Sequence, residues 1–180
     1  MAKLYFKYGA MGSSKTAQAL ITKYNYEENG LQVWLLKPSA DMRDGAQILR
    51  SRIGLEARVE IIGPSEDIYT CFRERKQGSC DVIIVDECQF LEPEQVDQLR
   101  AIVDDYNLPV MCFGLRTISS AVCSAAAAAS WRWRIPFWKS NHLRLRGQGD
   151  GQRPGGCGRI HCDARAAASA GSNDSYLAMC

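Results

Sequence analysis

Residues 1–117 predict an α/β fold, a mostly parallel sheet with helices on both faces, and three observations predict it. Short uninterrupted apolar runs alternate with segments whose apolar residues recur at helical spacing, the pattern of strands buried on both faces and linked by helices. A loop of glycine and serine joins the first run to the first helical segment, and two adjacent acids close the fourth run.

The elements follow in order. LYFKYG, Leu4 to Gly9, is a β-prone run that ends on glycine, and SSKTAQALITKYNYEENG spaces Ala17, Leu20, Ile21 and Tyr24 as one helix face. VWLLKP (Val33–Pro38) reads as a second buried strand, VEIIG (Val59–Gly63) as a third and DVIIVDECQF (Asp81–Phe90) as a fourth. Between the last two, SEDIYTCFRERKQG predicts a helix with Ser65 as N-cap, acids in its first turn and basic residues before Gly78. PEQVDQLRAIVDDYN predicts another helix, and LPVMCFGL (Leu108–Leu115) a fifth strand.

Charge divides the chain at the same place. Residues 1–117 hold 14 basic and 17 acidic side chains, net −3, whereas residues 118–180 hold 8 and 3, net +5. A net negative core with no basic groove argues against a nucleic-acid partner. No stretch approaches the ~20 apolar residues of a membrane span, and Met1–Tyr8 lacks signal-peptide architecture, so a cytoplasmic location without membrane attachment is expected. Cys71, Cys80, Cys88 and Cys112 fall in predicted helices or strands and are expected as reduced thiols.

Gly9-Ala10-Met11-Gly12-Ser13-Ser14-Lys15-Thr16 lies between the first strand and the first helix, where a phosphate-binding loop belongs. Small residues let backbone N–H groups turn toward an oligophosphate, the helix N-terminus adds positive potential, and lysine neutralises β/γ charge. Thr16 would place its hydroxyl on Mg²⁺. Ser14 occupies the second glycine position of G-x-x-x-x-G-K-[ST], and a positive φ there would cost serine roughly 1 kcal/mol. The alternative is a glycine-serine turn with Ser13 or Ser14 capping the helix and no ligand.

Asp86 and Glu87 follow four apolar residues at the carboxyl edge of the sheet, where α/β proteins bind ligands. Asp86 suits a strand-terminal Mg²⁺ carboxylate, and Glu87, pointing the other way along the pleat, a general base, with the phosphate loop expected on a neighbouring strand. The plainer alternative is a solvated loop. LKPSADMRDG (Leu36–Gly45) brings Lys37, Asp41 and Arg43 after the second strand, either toward a nucleotide or into solvent.

YGAMGSSKT, LKPSADMRDG, VDECQFL and FGLRT, in this order and spacing, resemble the cytosolic-type (type II) thymidine kinase family across residues 1–117. The resemblance implies a RecA-like P-loop fold in which Mg²⁺-bound ATP phosphorylates the 5′-hydroxyl of thymidine for deoxynucleoside salvage, in a homo-tetramer. It implies that Gly9 to Thr16 cradle the phosphates, with Asp41, Arg43, Asp86, Glu87, Cys88 and Gln89 also at the nucleotide. It further implies Glu87 as base, Thr16 and Asp86 at magnesium partly through water, and Met11 and Phe90 near thymine.

After Arg116-Thr117 the family's D-F-K-G-x-x-F continuation is expected, then a helix and a zinc-binding lasso, yet this chain continues Ile118-Ser119-Ser120 within LRTISSAVCSAAAAASWRW. Thr117–Ser124 can be written in codons that, with one inserted base, read T-D-F-K-R-G-L-F, and Asn141–Pro154 can be written in codons that, read from the second base with Gly155 supplying the last, give T-I-C-G-C-G-A-K-A-T-A-N-A-R. Gly171–Tyr176 again resembles the family's G-G-N-D-x-Y. The expectation is a kinase core over 1–117, an out-of-frame segment over 118–170 and a lasso remnant over 171–180. Such a chain either retains thymidine kinase activity or binds ATP without turnover. The zinc site is expected to be disrupted, with Leu143–Arg146 over the C-x-C pair and Cys180 alone matching a ligand. Cys157, His161 and Cys162 fit no usual zinc spacing, and Trp131–Arg134 is read as off-frame composition.

Overall fold

Leu4–Tyr8 forms β1, with Leu4 and Phe6 turned into the core, and it lies inside a sheet of six parallel strands. The computed structural model describes residues 1–40, 47–116 and 136–139. After β1 come α1 (Lys15–Glu28) and β2 (Val33–Pro38), then β3 (Ile48–Arg50) and β4 (Glu56–Arg58). Next are β5 (Glu60–Ile62), α2 (Ile68–Arg75), β6 (Val82–Val85), a 3₁₀ turn at Cys88–Phe90, α3 (Pro93–Tyr106), β7 (Val110–Gly114) and β8 (Phe137–Lys139).

The order across the sheet is β5-β2-β6-β7-β1-β8, and β3 and β4 pair separately as an antiparallel hairpin. Successive residues of each strand face opposite layers. Leu36, Ile83, Val85 and Phe6 pack with Ile68, Phe72, Leu99 and Ile102 of α2 and α3. Leu35, Val82, Ile84 and Phe113 pack on the other side with Ala19 and Leu20 of α1 and with Leu49 and Val59. The fold class is therefore the one predicted, and β2 has the predicted bounds.

Other boundaries differ for visible reasons. Strand β6 stops at Val85 instead of running to Phe90, because Glu87 adopts a left-handed conformation (φ 50°, ψ 37°) that turns the chain into the 3₁₀ segment. Strand β6 also is not a neighbour of β1; β7 lies between them, so the phosphate loop is two strands away. Asp67, not Ser65, caps α2: its carboxylate accepts the Thr70 N–H at 2.9 Å. Ser65 falls instead in a turn where the Glu66 N–H reaches Gly63 O at 3.1 Å.

Two elements were not predicted. The β3–β4 hairpin closes through Ser51, whose N–H donates to Leu55 O at 2.8 Å, and through an Arg50–Glu56 ion pair. Strand β8 pairs with β1 over Phe6–Tyr8 and falls within the segment expected to be out of frame. Apart from residues 136–139, that segment, the lasso remnant and the candidate metal and stacking residues among them lie outside the described residues. Among the described residues no helix is long and apolar enough to cross a membrane.

Candidate active site

Because every strand of the sheet is parallel, the loops after β1, β2, β6 and β7 emerge on one edge. Residues 9–14 connect β1 to α1 there. Ser14, at the second glycine position of the loop motif, takes φ 58°, and Gly12, two residues before it inside the loop, takes φ 77°, so both adopt left-handed backbone. Ser14 occupies the N-cap position of α1 without a capping side-chain bond, which leaves the capping alternative unsupported for that residue. A turn in the loop is closed by the Ser13 N–H donating to Ala10 O at 3.2 Å, and the Gln18 N–H donates the first bond of α1 to Ser14 O at 2.9 Å.

Lys15, the first residue of α1, is buried. Its ammonium donates to Ala10 O at 2.9 Å and Gly9 O at 3.3 Å, with the Ser13 hydroxyl at 3.5 Å. The charge is thus directed into the loop rather than outward to solvent. Met11 and Thr16 are half-buried, while Gly12 and Ser14 are exposed at the rim.

Asp86 follows β6 and is only 1% exposed. Its backbone N–H donates to Leu36 O at 3.0 Å, and Lys37, the next residue of β2, is fully buried. Val82, Ile84 and Asp86 alternate toward the layer of α1, so the carboxylate lies on the phosphate-loop side. Neither carboxylate oxygen accepts a hydrogen bond of normal geometry. Burial first, and then the negative charge of Glu87, raise its pKa to about 7. The nearby Thr16 hydroxyl, the Glu87 backbone and the Lys15 charge favour the ionised form and offset part of that rise. The structure thus brings Lys15, Thr16 and Asp86 together, although their strands are not adjacent.

Glu87 is half-buried and its carboxylate accepts from Gln89 Nε2. Because it has left the strand, the pleat does not set its direction; the turn and Gln89 do. Phe90 is half-buried at the end of the same turn, while Cys88 and Gln89 are buried. Burial and the adjacent Cys112 thiol push the Cys88 thiol well above its ordinary value, so it stays protonated. Cys71, Cys80, Cys88 and Cys112 are all free thiols, as expected. Asp41, Arg43 and Cys180 lie outside the described residues.

One contributor escaped the sequence reading. A Cβ on Gly114, at the end of β7, would stand 2.6 Å from Gln89 Oε1 and 2.7 Å from Cys88 Sγ. A glycine closing an otherwise bulky strand was its only signal.

A lysine-bearing phosphate loop before a helix, with a buried acid at the end of a parallel strand on the same side, defines a P-loop α/β protein. Comparison with known proteins narrows the class. The thymidine kinase family model matches residues 2–126, and the chain belongs to that family. Over 118 residues it is 46% identical to the thymidine kinase of Enterobacteria phage T4, covering 65% of this chain and 61% of that protein. Over 117 residues it is 43% identical to the thymidine kinase of Ruegeria pomeroyi, covering 64% and 59%. The chain thus spans about three fifths of the length of these relatives. A crystal structure of Bacteroides Pif1 bound to ssDNA aligns with a TM-score of 0.36 and 17% identity over 73% of this chain and 33% of that one, too loosely to bear on function.

Proposed function

We propose that this protein transfers the γ-phosphate of ATP to the 5′-hydroxyl of thymidine, giving dTMP and ADP in the cytoplasm. The observation that carries the reading is Asp86: a buried carboxylate with both oxygens unsatisfied, beside Thr16 of the phosphate loop and next to Glu87, in a chain of the thymidine kinase family. Buried polar atoms without partners are costly unless a ligand satisfies them.

The loop Gly9–Ser14, the Lys15 ammonium and the N-terminus of α1 would hold the β- and γ-phosphates. Thr16 and Asp86 fit a hydrated magnesium ion, since one hydroxyl and one orphaned carboxylate are the protein donors such an ion takes alongside phosphate oxygens. Magnesium, when bound, neutralises charge on the phosphates. Asp41 and Arg43 belong to the same proposal as phosphate-side groups. Zinc is different: Cys180 alone does not make a tetrahedral site, and no step depends on it.

In the transfer, the 5′-oxygen bonds to Pγ as the bond from Pγ to the β,γ-bridging oxygen breaks, and ADP leaves. Glu87 takes the hydroxyl proton. Met11 and Phe90, both half-buried, are the proposed contacts to the base. The protein's part is chiefly positioning and electrostatics.

Glu87→Gln tests the role. It keeps the shape and the bond to Gln89 but removes the base. Transfer should fall by at least about 100-fold while ATP affinity, measured by calorimetry, is retained. Parallel loss of both would make Glu87 a structural residue and remove the base from this scheme.

A further inference from the structure

We propose that Gln89 is the positioning residue for Glu87, clamping the turn after β6 to the end of β7; this rests on the kinase reading above for what Glu87 does. Gln89 is 3% exposed and its carboxamide is used at both ends. Its Oε1 accepts the Leu115 backbone N–H at 2.9 Å, and Leu115 directly follows β7. A backbone N–H can only donate, so this contact fixes which end of the amide is oxygen. Nε2 is thereby turned to Glu87, where it donates to Oε2.

Glu87 needs such a hold. A non-glycine residue at φ 50°, ψ 37° sits about 1 kcal/mol or more above the right-handed or extended conformations, and it persists only where surrounding contacts impose it. Gly114 leaves the room that the clamp occupies, since any side chain there would displace Gln89 Oε1 and Cys88 Sγ together. The orientation of Glu87 is therefore set from β7, the strand between β6 and the strand that carries the phosphate loop. The family resemblance implies Gln89 among the nucleotide contacts, and both polar ends of its side chain are engaged within the protein.

Two substitutions in the full chain separate the roles. Gln89→Glu is nearly isosteric and keeps an acceptor for Leu115 but loses the donor to Glu87. Gln89→Leu loses both. If Gln89 positions the base, each lowers kcat by about 100-fold while KM for ATP and thymidine changes by less than about threefold. Unchanged kcat in Gln89→Glu would overturn the proposal, leaving only a tie to β7. A raised KM for ATP at constant kcat would overturn it in favour of nucleotide contact. Should the wild-type chain show no turnover, the kinase reading fails, and crystal structures of the two variants then decide the clamp. Glu87 leaving the left-handed region supports it, and Glu87 unmoved in both contradicts it.

Discussion

At Asp86 the protein keeps a carboxylate where water cannot reach it and Glu87 repels it, with a pKa of about 7 against an ordinary value of 3.8. An acid whose folded pKa lies above its unfolded one binds more protons in the folded state across that interval. Stability contributed by the protonated acid is complete below the unfolded value and is lost as pH rises toward 7. Asp86→Asn removes the titration. Denaturant melts should show the variant stabler than wild type at about pH 8, on the order of a few kcal/mol, with the gain gone near pH 4. A gain equal at both pH values would mean that the carboxylate's ionisation is not what costs stability. Ser14 is a second residue held at a local cost, since its positive φ is adopted without any compensating cap bond. Both costs lie in the groups proposed to meet phosphate and metal.

Among the elements, helix α2 shows how narrowly a boundary is decided. Ser65 and Asp67 both belong to residue types that cap helices, but the Asp67 carboxylate is the one that receives Thr70 N–H. Asp67→Ala should destabilise by about 1 kcal/mol in thermal or urea melts, and Ser65→Ala by a few tenths at most. The reverse ranking would show the helix starting two residues earlier. The serine was legible as a cap signal; the choice between the two was not, because the Gly63–Glu66 turn absorbs Ser65. The phosphate loop and the acid pair were legible, being local patterns of residue type. The end of β6 was not: Cys88, Gln89 and Phe90 are all compatible with a strand, and a contact with Leu115, 26 residues away in sequence, sets the turn. The β3–β4 hairpin was missed because of its six strand residues only Leu49 is buried, which leaves little apolar alternation to read.

For the whole molecule, the all-parallel sheet collects the ends of β1, β2, β6 and β7 on one edge, and the two faces are closed by different helices. The strand order could not be read from sequence, since β7, the fifth main strand, inserts between the strand of the phosphate loop and the strand of the acids. Lys15, Thr16 and Asp86 nevertheless meet, because alternation along β6 turns Asp86 toward the layer of α1. Family membership then supplies the chemistry proposed for that edge. The most direct test is a single-turnover experiment with purified full chain, γ-labelled ATP, magnesium and thymidine, with ATP binding measured in parallel. Labelled dTMP formed by wild type and lost in Glu87→Gln is the predicted result; ATP bound without any labelled dTMP from wild type would contradict it.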